Sequence, residues 1–295
     1  MLPWITLRNR DGMRLPCFGG PSRGKAPPSR SIDYLWLTGQ FLRGVFDVGS
    51  VPKASVKARA SLRTVFVDFD NTLHRSDEKL AFYLDGWTGK SGDYLLEVFR
   101  KIHLEEIHAH FPERHLDIRF HSGLLLSYLR LPHSPTLVQD FVSRYLEAAS
   151  DAWLDPWYYS DTLSFLDELV KMRVKVCLTT GEDAEKKAVG IYKFLRSHKF
   201  DYVFGEDALG VLKTEPEYFT RALKESWSEA PSTVAVGDSI TADVVPGKLA
   251  GLKVIWVNRE GKRLQAGYEK PDFQVSDLRE ASKILWRMCE NPNCR

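Results

Sequence analysis

TVFVDFDNTL, residues 64–73, runs four β-forming residues, Thr64 to Val67, straight into two carboxylates, Asp68 and Asp70. Residues two apart on an extended chain share a face, so both acids point to one side at the end of an apolar strand. Burying an unpaired charge is expensive, and something elsewhere in the chain must compensate it. Asn71 and Thr72 follow, so a plain Asx-type turn is the bland alternative. A calcium loop of the EF-hand kind is disfavoured, because Leu73 stands where the sixth position wants Gly.

Outward from this stretch, strand-like and helix-like segments alternate. Apolar strand signals occur at TVFVDF (64–69), VKVCLT (174–179), TVAVG (233–237) and KVIWV (253–257), with shorter ones at DYVF (201–204) and DFQV (272–275). Helical patterns lie between them, as in EDAEKKAVGIYKFLRSH, EPEYFTRALKESW and TADVVPGKLAG. Near-continuous apolar strands separated by helices predict a parallel sheet covered on both faces. Sites in such sheets form beyond the carboxyl ends of the strands. The alternation breaks once, after the two carboxylates. LPHSPTLVQDFVSRYLEAASDAW offers Ser134 as N-cap, Pro135 as first helical residue, and Val138, Phe141, Val142, Tyr145 and Leu146 as an apolar stripe. KSGDYLLEVFRKIHLEEIHAHF reads the same way. A helical insertion is therefore expected from about 79 to about 160, set over the carboxyl edge of the sheet as a lid would be.

Four short elements fall at predicted strand ends: DFDNT with Asp68 and Asp70, LTTG with Thr179 and Thr180, Lys213 in GVLKTEPEYF, and VGDSITAD with Asp238 and Asp243. Each alone has a bland reading as turn, helix cap or surface lysine. In this order, each at a strand end, they resemble the haloacid dehalogenase superfamily, over residues 64 to about 285. The third motif departs modestly, with KTEPEYF in place of the commoner Lys-Pro-x-Pro form.

The resemblance implies a Rossmann-like α/β fold: a parallel sheet flanked by helices, in strand order 5-4-1-2-3, with an inserted α-helical cap domain. It implies a core over 61–78 and 161–285 and a cap over 79–160, leaving 286–295 as a tail and 1–60, on its composition, as a basic, partly disordered extension. It also implies a Mg²⁺-dependent phosphatase acting on a small phosphate monoester. Asp68 would be the nucleophile and Asp70 the general acid and base. Asp68 and Asp238, with the backbone carbonyl of Asp70, would hold the metal. Lys213, Thr179 and Thr180 would meet the phosphate, and Asp243 would act through water or by orienting Lys213. The family's dehalogenases lack the acid two residues after the nucleophile, because halide needs no proton, so Asp70 favours phosphate esters. A phosphomutase of the same family and a non-catalytic phosphate-binding protein are the alternatives. Specificity is expected from the cap, with Arg119, His121 and Arg130 as its candidates.

The remaining signals are weaker. The 295 residues are 43% hydrophobic and 27% charged, which is ordinary for a soluble globular protein, and the net charge of +2 argues for no particular partner. No apolar run approaches the ~20 residues that span a bilayer. Residues 1–60 are basic, with ten Lys and Arg against three Asp and Glu, and rich in Gly and Pro. A transit peptide, a nucleic-acid-binding arm and a true start downstream, at Val51 or Val56, compete for this segment, and the third is favoured. Cys17, Cys177, Cys289 and Cys294 make no disulfide framework, which fits a reducing, cytoplasmic setting. The terminal pair in CENPNC could close a local disulfide, but no His follows it to complete a zinc set, and plain tail thiols are the expected reading.

GDSI, with Ser239, fails as an esterase motif because the last histidine is His198. GKSG at 89–92 lacks the first Gly of a phosphate loop, since Leu84 stands there. The four histidines of HLEEIHAHFPERH do not form HExxH, and a solvated helix face outweighs a metal site. The aromatics of DAWLDPWYYSD are expected to pack a hinge between cap and core. No membrane or nucleic-acid partner is expected.

Overall fold

A computed structural model describes residues 61–150, 157–196 and 200–289. The readings for 1–60, Cys17, His198 and Cys294 lie outside the described residues. Six strands form the sheet: β1 (Thr64–Val67), β2 (Lys175–Thr179), β3 (Tyr202–Phe204), β4 (Thr233–Gly237), β5 (Lys253–Val257) and β6 (Phe273–Val275). Their order is β3-β2-β1-β4-β5-β6, and every neighbouring pair is parallel. The expected order 5-4-1-2-3 is this sheet read from its other edge, with β6 added beyond β5. The central strand β1 therefore lies between the strands carrying the second and fourth motifs.

Helices surround it. Between β1 and β2 come α1 (Ser76–Leu84), α2 (Gly92–Lys101), a π-helical turn (Ile102–Ile107), α3 (His108–His110), α4 (Ile118–Tyr128), α5 (Pro135–Ser150) and α6 (Thr162–Met172). Then follow α7 (Ala184–Leu195), α8 (Glu206–Leu209), α9 (Pro216–Glu225), α10 (Val245–Leu249) and α11 (Leu278–Met288).

The apolar run in β1 follows from burial on both faces. Val65 and Val67 join Val176, Leu178, Val234, Val236, Ile255 and Val257 under Phe165 and Leu169 of α6 and Leu285 of α11. Phe66 points to the other layer, with Cys177, Ala235, Val254 and Trp256 against Tyr218 and Phe219 of α9. Each such side chain, fully buried, stabilises the fold by roughly 1.5–3 kcal/mol.

The helices between β1 and α6 gather a separate core of Leu84, Trp87, Leu95, Val98, Phe99, Ile102, Ile107, Leu125, Leu126 and Phe141. Ser134 and Pro135 start α5 where the sequence places them, with Val138 N–H donating to the Ser134 carbonyl at 3.0 Å. Phe141 and Val142 are buried, but Leu146 is 55% exposed, because the apolar stripe drifts off the contact face toward the end of α5. Among the described residues no helix is long and apolar enough to cross a membrane.

Candidate active site

Three of the four sequence elements arrive at the carboxyl ends of the adjacent strands β2, β1 and β4, whereas Lys213, expected at a strand end too, reaches them from the segment between α8 and α9. Asp68 continues β1 by one residue, its N–H donating to the Val236 carbonyl of β4 at 3.0 Å. It is only 5% exposed. Its Oδ1 lies 2.5 Å from Lys213 Nζ, and the same ammonium lies 2.7 Å from Asp243 Oδ1. All three side chains are buried. The compensating cation demanded by the first stretch is thus Lys213, 145 residues away.

Asp243 is held in turn by the Ser239 N–H, which donates to its Oδ2 at 3.0 Å. That approach depends on Gly237: a Cβ there would come 2.2 Å from the Asp243 carboxyl carbon. Ser239, rejected as an esterase nucleophile, instead caps the following turn, its Oγ accepting from Ala242 N–H at 3.1 Å. Asp238, the third acid, is half-buried, and carboxylate oxygens of Asp68, Asp238 and Asp243 all lie within 4.8 Å of one another.

Asp70 faces a different set of partners. The chain turns after it through Asn71 at φ 57°, a left-handed conformation that Asn tolerates better than most residues. The Asn71 side chain fixes this turn through Asp77, donating to its Oδ2 at 2.7 Å and accepting from its N–H at 3.0 Å. Asp70 Oδ1 accepts from Ser76 Oγ at 2.6 Å. Its Oδ2 accepts from Lys187 Nζ at 2.5 Å and from Thr180 Oγ1 at 3.2 Å. Lys187 also donates to Thr180 Oγ1 at 2.9 Å.

The electrostatics divide the two acids. Burial pushes Asp68 up to about 7, against the pull of Lys213 and with the help of Asp243 and Asp70. Burial and the neighbouring Asp68 and Asp243 likewise raise Asp238 far above the usual carboxylate range. Burial also works against ionisation at Asp70, but Lys187, Ser76 and His74 outweigh it and hold the carboxyl down at about 2. Lys213 is kept charged despite its burial by Asp243 and Asp68.

Asp68, Asp238 and Asp243 suit a hard divalent cation. Their donors are all oxygen, their mutual repulsion raises the cost of ionising them, and the buried Asp68 Oδ2 has no hydrogen-bond partner. Asp243 joins the cluster by its side chain, and the Asp70 carboxylate turns to Lys187, which leaves the expected role of the Asp70 backbone carbonyl untouched.

Thr179, at the end of β2, is buried beside these groups, and the Thr180 hydroxyl is engaged with Asp70 and Lys187. Lys187 escaped the sequence reading. It lies in the first turns of α7, where a lysine among the charges of EDAEKK carries no signal of its own.

The three specificity candidates are not gathered here. Arg119 donates to Gln139 Oε1 at 2.7 Å, Arg130 takes a left-handed backbone at φ 56°, and His121 is buried near His103. None of the three makes a hydrogen bond or ion pair with Asp68, Asp70, Asp238 or Lys213. The reading of the HLEEIHAHFPERH histidines as a solvated face is corrected: His110 is exposed, but His103 and His108 are half-buried and His115 is buried. Of the DAWLDPWYYSD aromatics, Tyr158 packs edge-on against Phe69 at 6.2 Å, and Trp157 tilts against Phe82 at 5.8 Å.

Comparison with known proteins bears on this arrangement. The pattern of the haloacid dehalogenase-like hydrolase family matches residues 65–257. A phosphoserine phosphatase of Thermus thermophilus is 31% identical over 123 residues, covering 41% of this chain and 49% of that protein. The chain therefore spans only about half the length of that relative. A glyceraldehyde 3-phosphate phosphatase of Methanopyrus kandleri is 25% identical over 174 residues, covering 58% of this chain and 73% of that protein. The structure of L-2-haloacid dehalogenase from Xanthobacter autotrophicus is similar in fold, with a TM-score of 0.61 and 18% identity over 76% of this chain and 98% of that one.

Proposed function

The chain belongs to the haloacid dehalogenase-like hydrolase family, and within it we propose a Mg²⁺-dependent phosphatase that hydrolyses a small phosphate monoester through an aspartyl-phosphate on Asp68. The observation that carries this reading is Asp70, a second acid two residues beyond the nucleophile, tied to Lys187, Thr180 and Ser76. Displacement of halide needs no proton donor, whereas an alkoxide leaving group does. Similarity to proteins named as phosphatases supports the same choice.

Asp68 attacks phosphorus in line through one carboxylate oxygen, and the bond from phosphorus to the ester oxygen breaks. The departing oxygen takes a proton from Asp70, which must acquire that proton as substrate binds. In the second step Asp70 removes a proton from the attacking water, and the acyl phosphate opens to release phosphate and restore the Asp68 carboxylate. The ionised form, favoured by Lys187, suits this second step. Lys213 holds Asp68 in place and, with Thr179, neutralises phosphate oxygens as charge shifts. Asp68, Asp238 and Asp243 would hold Mg²⁺, which supplies the positive charge that keeps these acids ionised and screens the approach of a dianionic phosphate.

Residues 79–160 act as a cap, closing over the carboxyl edge of the sheet to exclude water and restrict substrate size. The substrate is a phosphorylated metabolite of small size.

The test is release of phosphate from p-nitrophenyl phosphate and from phosphoserine and glyceraldehyde 3-phosphate, with Mg²⁺ and with EDTA. Mg²⁺-dependent release that disappears in Asp68→Asn is expected. Equal release in the variant, or none from any substrate with Mg²⁺ present, overturns the proposal.

A further inference from the structure

The helical insertion carries a second cluster of ligand atoms, chemically unlike the first. We propose that His103, His108 and His115 form a binding site for a borderline transition-metal ion of the Zn²⁺ type, at the contact between the insertion and the core. One ring nitrogen from each of the three histidines lies within 4.8 Å of the others. Their ring centroids are 4.4 Å (His103–His108), 4.9 Å (His103–His115) and 4.6 Å (His108–His115) apart.

The backbone is shaped to make this grouping. His103 and His108 are five residues apart, which in an α-helix at about 100° per residue puts them roughly 140° apart around the axis. Here the helix widens into a π turn over Ile102–Ile107, and the His108 N–H donates to the His103 carbonyl five residues back. Hydrogen bonding from i to i+5 brings the two imidazoles one above the other, and single π turns of this kind concentrate at functional sites. The turn that follows α3 then brings His115 back against His108, with His115 Nδ1 2.8 Å from His108 Nε2.

Burial, reinforced by the neighbouring histidines, lowers His103 and His108, whereas Glu206 outweighs burial at His115 and raises it. Buried His103 Nδ1 has no hydrogen-bond partner, and His121, 1% exposed, packs 5.3 Å from His103. A nitrogen so placed loses its water without replacement, and a metal ion beside it is the natural compensation.

His115 also has the second contact that metal-bound histidines ordinarily have. Its Nε2 lies 2.9 Å from Glu206 Oε2, leaving Nδ1 for the cluster. Zn–N bonds of about 2.0–2.1 Å put ligand nitrogens about 3.4 Å apart in a tetrahedral site, so His108 and His115 need separate only slightly. Three imidazoles select Zn²⁺, Co²⁺ or Ni²⁺, whereas the all-oxygen cluster of Asp68, Asp238 and Asp243 selects Mg²⁺.

The position gives the site a consequence. Glu206 belongs to the core, and its other oxygen accepts the backbone N–H of Lys213 at 2.8 Å. A metal on the three histidines would therefore pin the insertion, through His115 and Glu206, to the segment that carries the lysine paired with Asp68.

The experiment uses the full chain, stripped with EDTA and dialysed, then titrated with Co²⁺ in excess Mg²⁺. Expected are visible d–d bands that saturate at one equivalent, bleach on adding Zn²⁺ and persist in Asp68→Asn. Co²⁺ affinity should fall at least 100-fold in His108→Gln and in His115→Gln, and stay unchanged in His110→Gln, whose ring is exposed. Zn²⁺ should raise the melting temperature of the wild type and not of the first two variants. The proposal is overturned if the wild type gives no such bands, or if they survive in both His108→Gln and His115→Gln. The wild-type spectrum decides even where a variant fails to fold. Because the bands are read in Asp68→Asn as well, their loss and the loss of phosphatase activity are separate outcomes.

Discussion

Two carboxylates two residues apart meet opposite fates in this protein, and their partners are the reason. Asp68 is buried against Lys213, while Asp70 is pulled toward Lys187, Thr180 and Ser76. If Asp70 delivers the proton to the leaving group, its value depends on how badly that group needs one. Asp70→Asn should lower turnover of an alkyl phosphate by about 10²–10⁴-fold. Formation of the acyl phosphate from 2,4-dinitrophenyl phosphate, whose leaving group departs unprotonated, should be far less affected in a pre-steady-state burst. Equal losses on both substrates would remove Asp70 from the role of acid. The pair Asp68 and Asp70 was legible in the sequence as a problem of charge. Lys213 was legible as its answer only through the resemblance, and Lys187 was not legible at all, since nothing local distinguishes it from Lys186.

At the scale of elements, α1 and α2 come so close that the start of α2 admits no side chain. A Cβ on Gly92 would lie 1.9 Å from the Ala81 carbonyl oxygen, a backbone atom that cannot swing aside. Helix propensity alone makes Gly→Ala favourable by up to about 1 kcal/mol. The packing reverses the sign, and Gly92→Ala should destabilise the protein by about 1–3 kcal/mol through overpacking, measured as a lower denaturation midpoint. An unchanged or higher midpoint would show that α1 and α2 are not so closely apposed. GKSG, attractive as a phosphate loop, is better understood as the chemistry of this crossing: Ser91 caps α2 and Gly92 lets it approach α1. The π turn was hidden for a related reason. IHLEEIH has ordinary helical composition, and only its packing shows that the extra residue in the turn aligns His103 with His108.

Across the whole molecule, one buried ion pair joins segments far apart in sequence. Arg259, after β5, pairs with Asp161 through two nitrogens at 3.0 and 3.1 Å. It also donates to the Thr72 carbonyl at 2.9 Å and stacks over Tyr159 at 3.7 Å. Asp161 Oδ2 further accepts the Leu278 N–H at the start of α11, at 2.9 Å. The loop after β1, the return from the insertion, the end of β5 and α11 are thereby tied at one point. Asp161 is 3% exposed, so removing its partner strands a buried carboxylate. Arg259→Ala should cost about 3–5 kcal/mol and lower the melting temperature by on the order of 10 °C, read by calorimetry. A loss below 1 kcal/mol would show the clamp to be no more than an exposed pair such as Arg144–Asp140.

The sequence by itself determined the parallel sheet, because β1, β2, β4 and β5 are apolar on both faces and only a sheet covered twice satisfies them. It also marked the candidate residues Asp68, Thr179 and Asp238, because each ends or follows a strand that the pattern predicts, whereas Lys213 comes from the segment between α8 and α9. Only the tertiary structure decided which groups pair. Lys187 with Asp70, Arg259 with Asp161 and Glu206 with His115 join residues 117, 98 and 91 positions apart in sequence. Coulomb and hydrogen-bond energies depend on distance in space, and the distances are set by how the layers of helix and sheet close on one another.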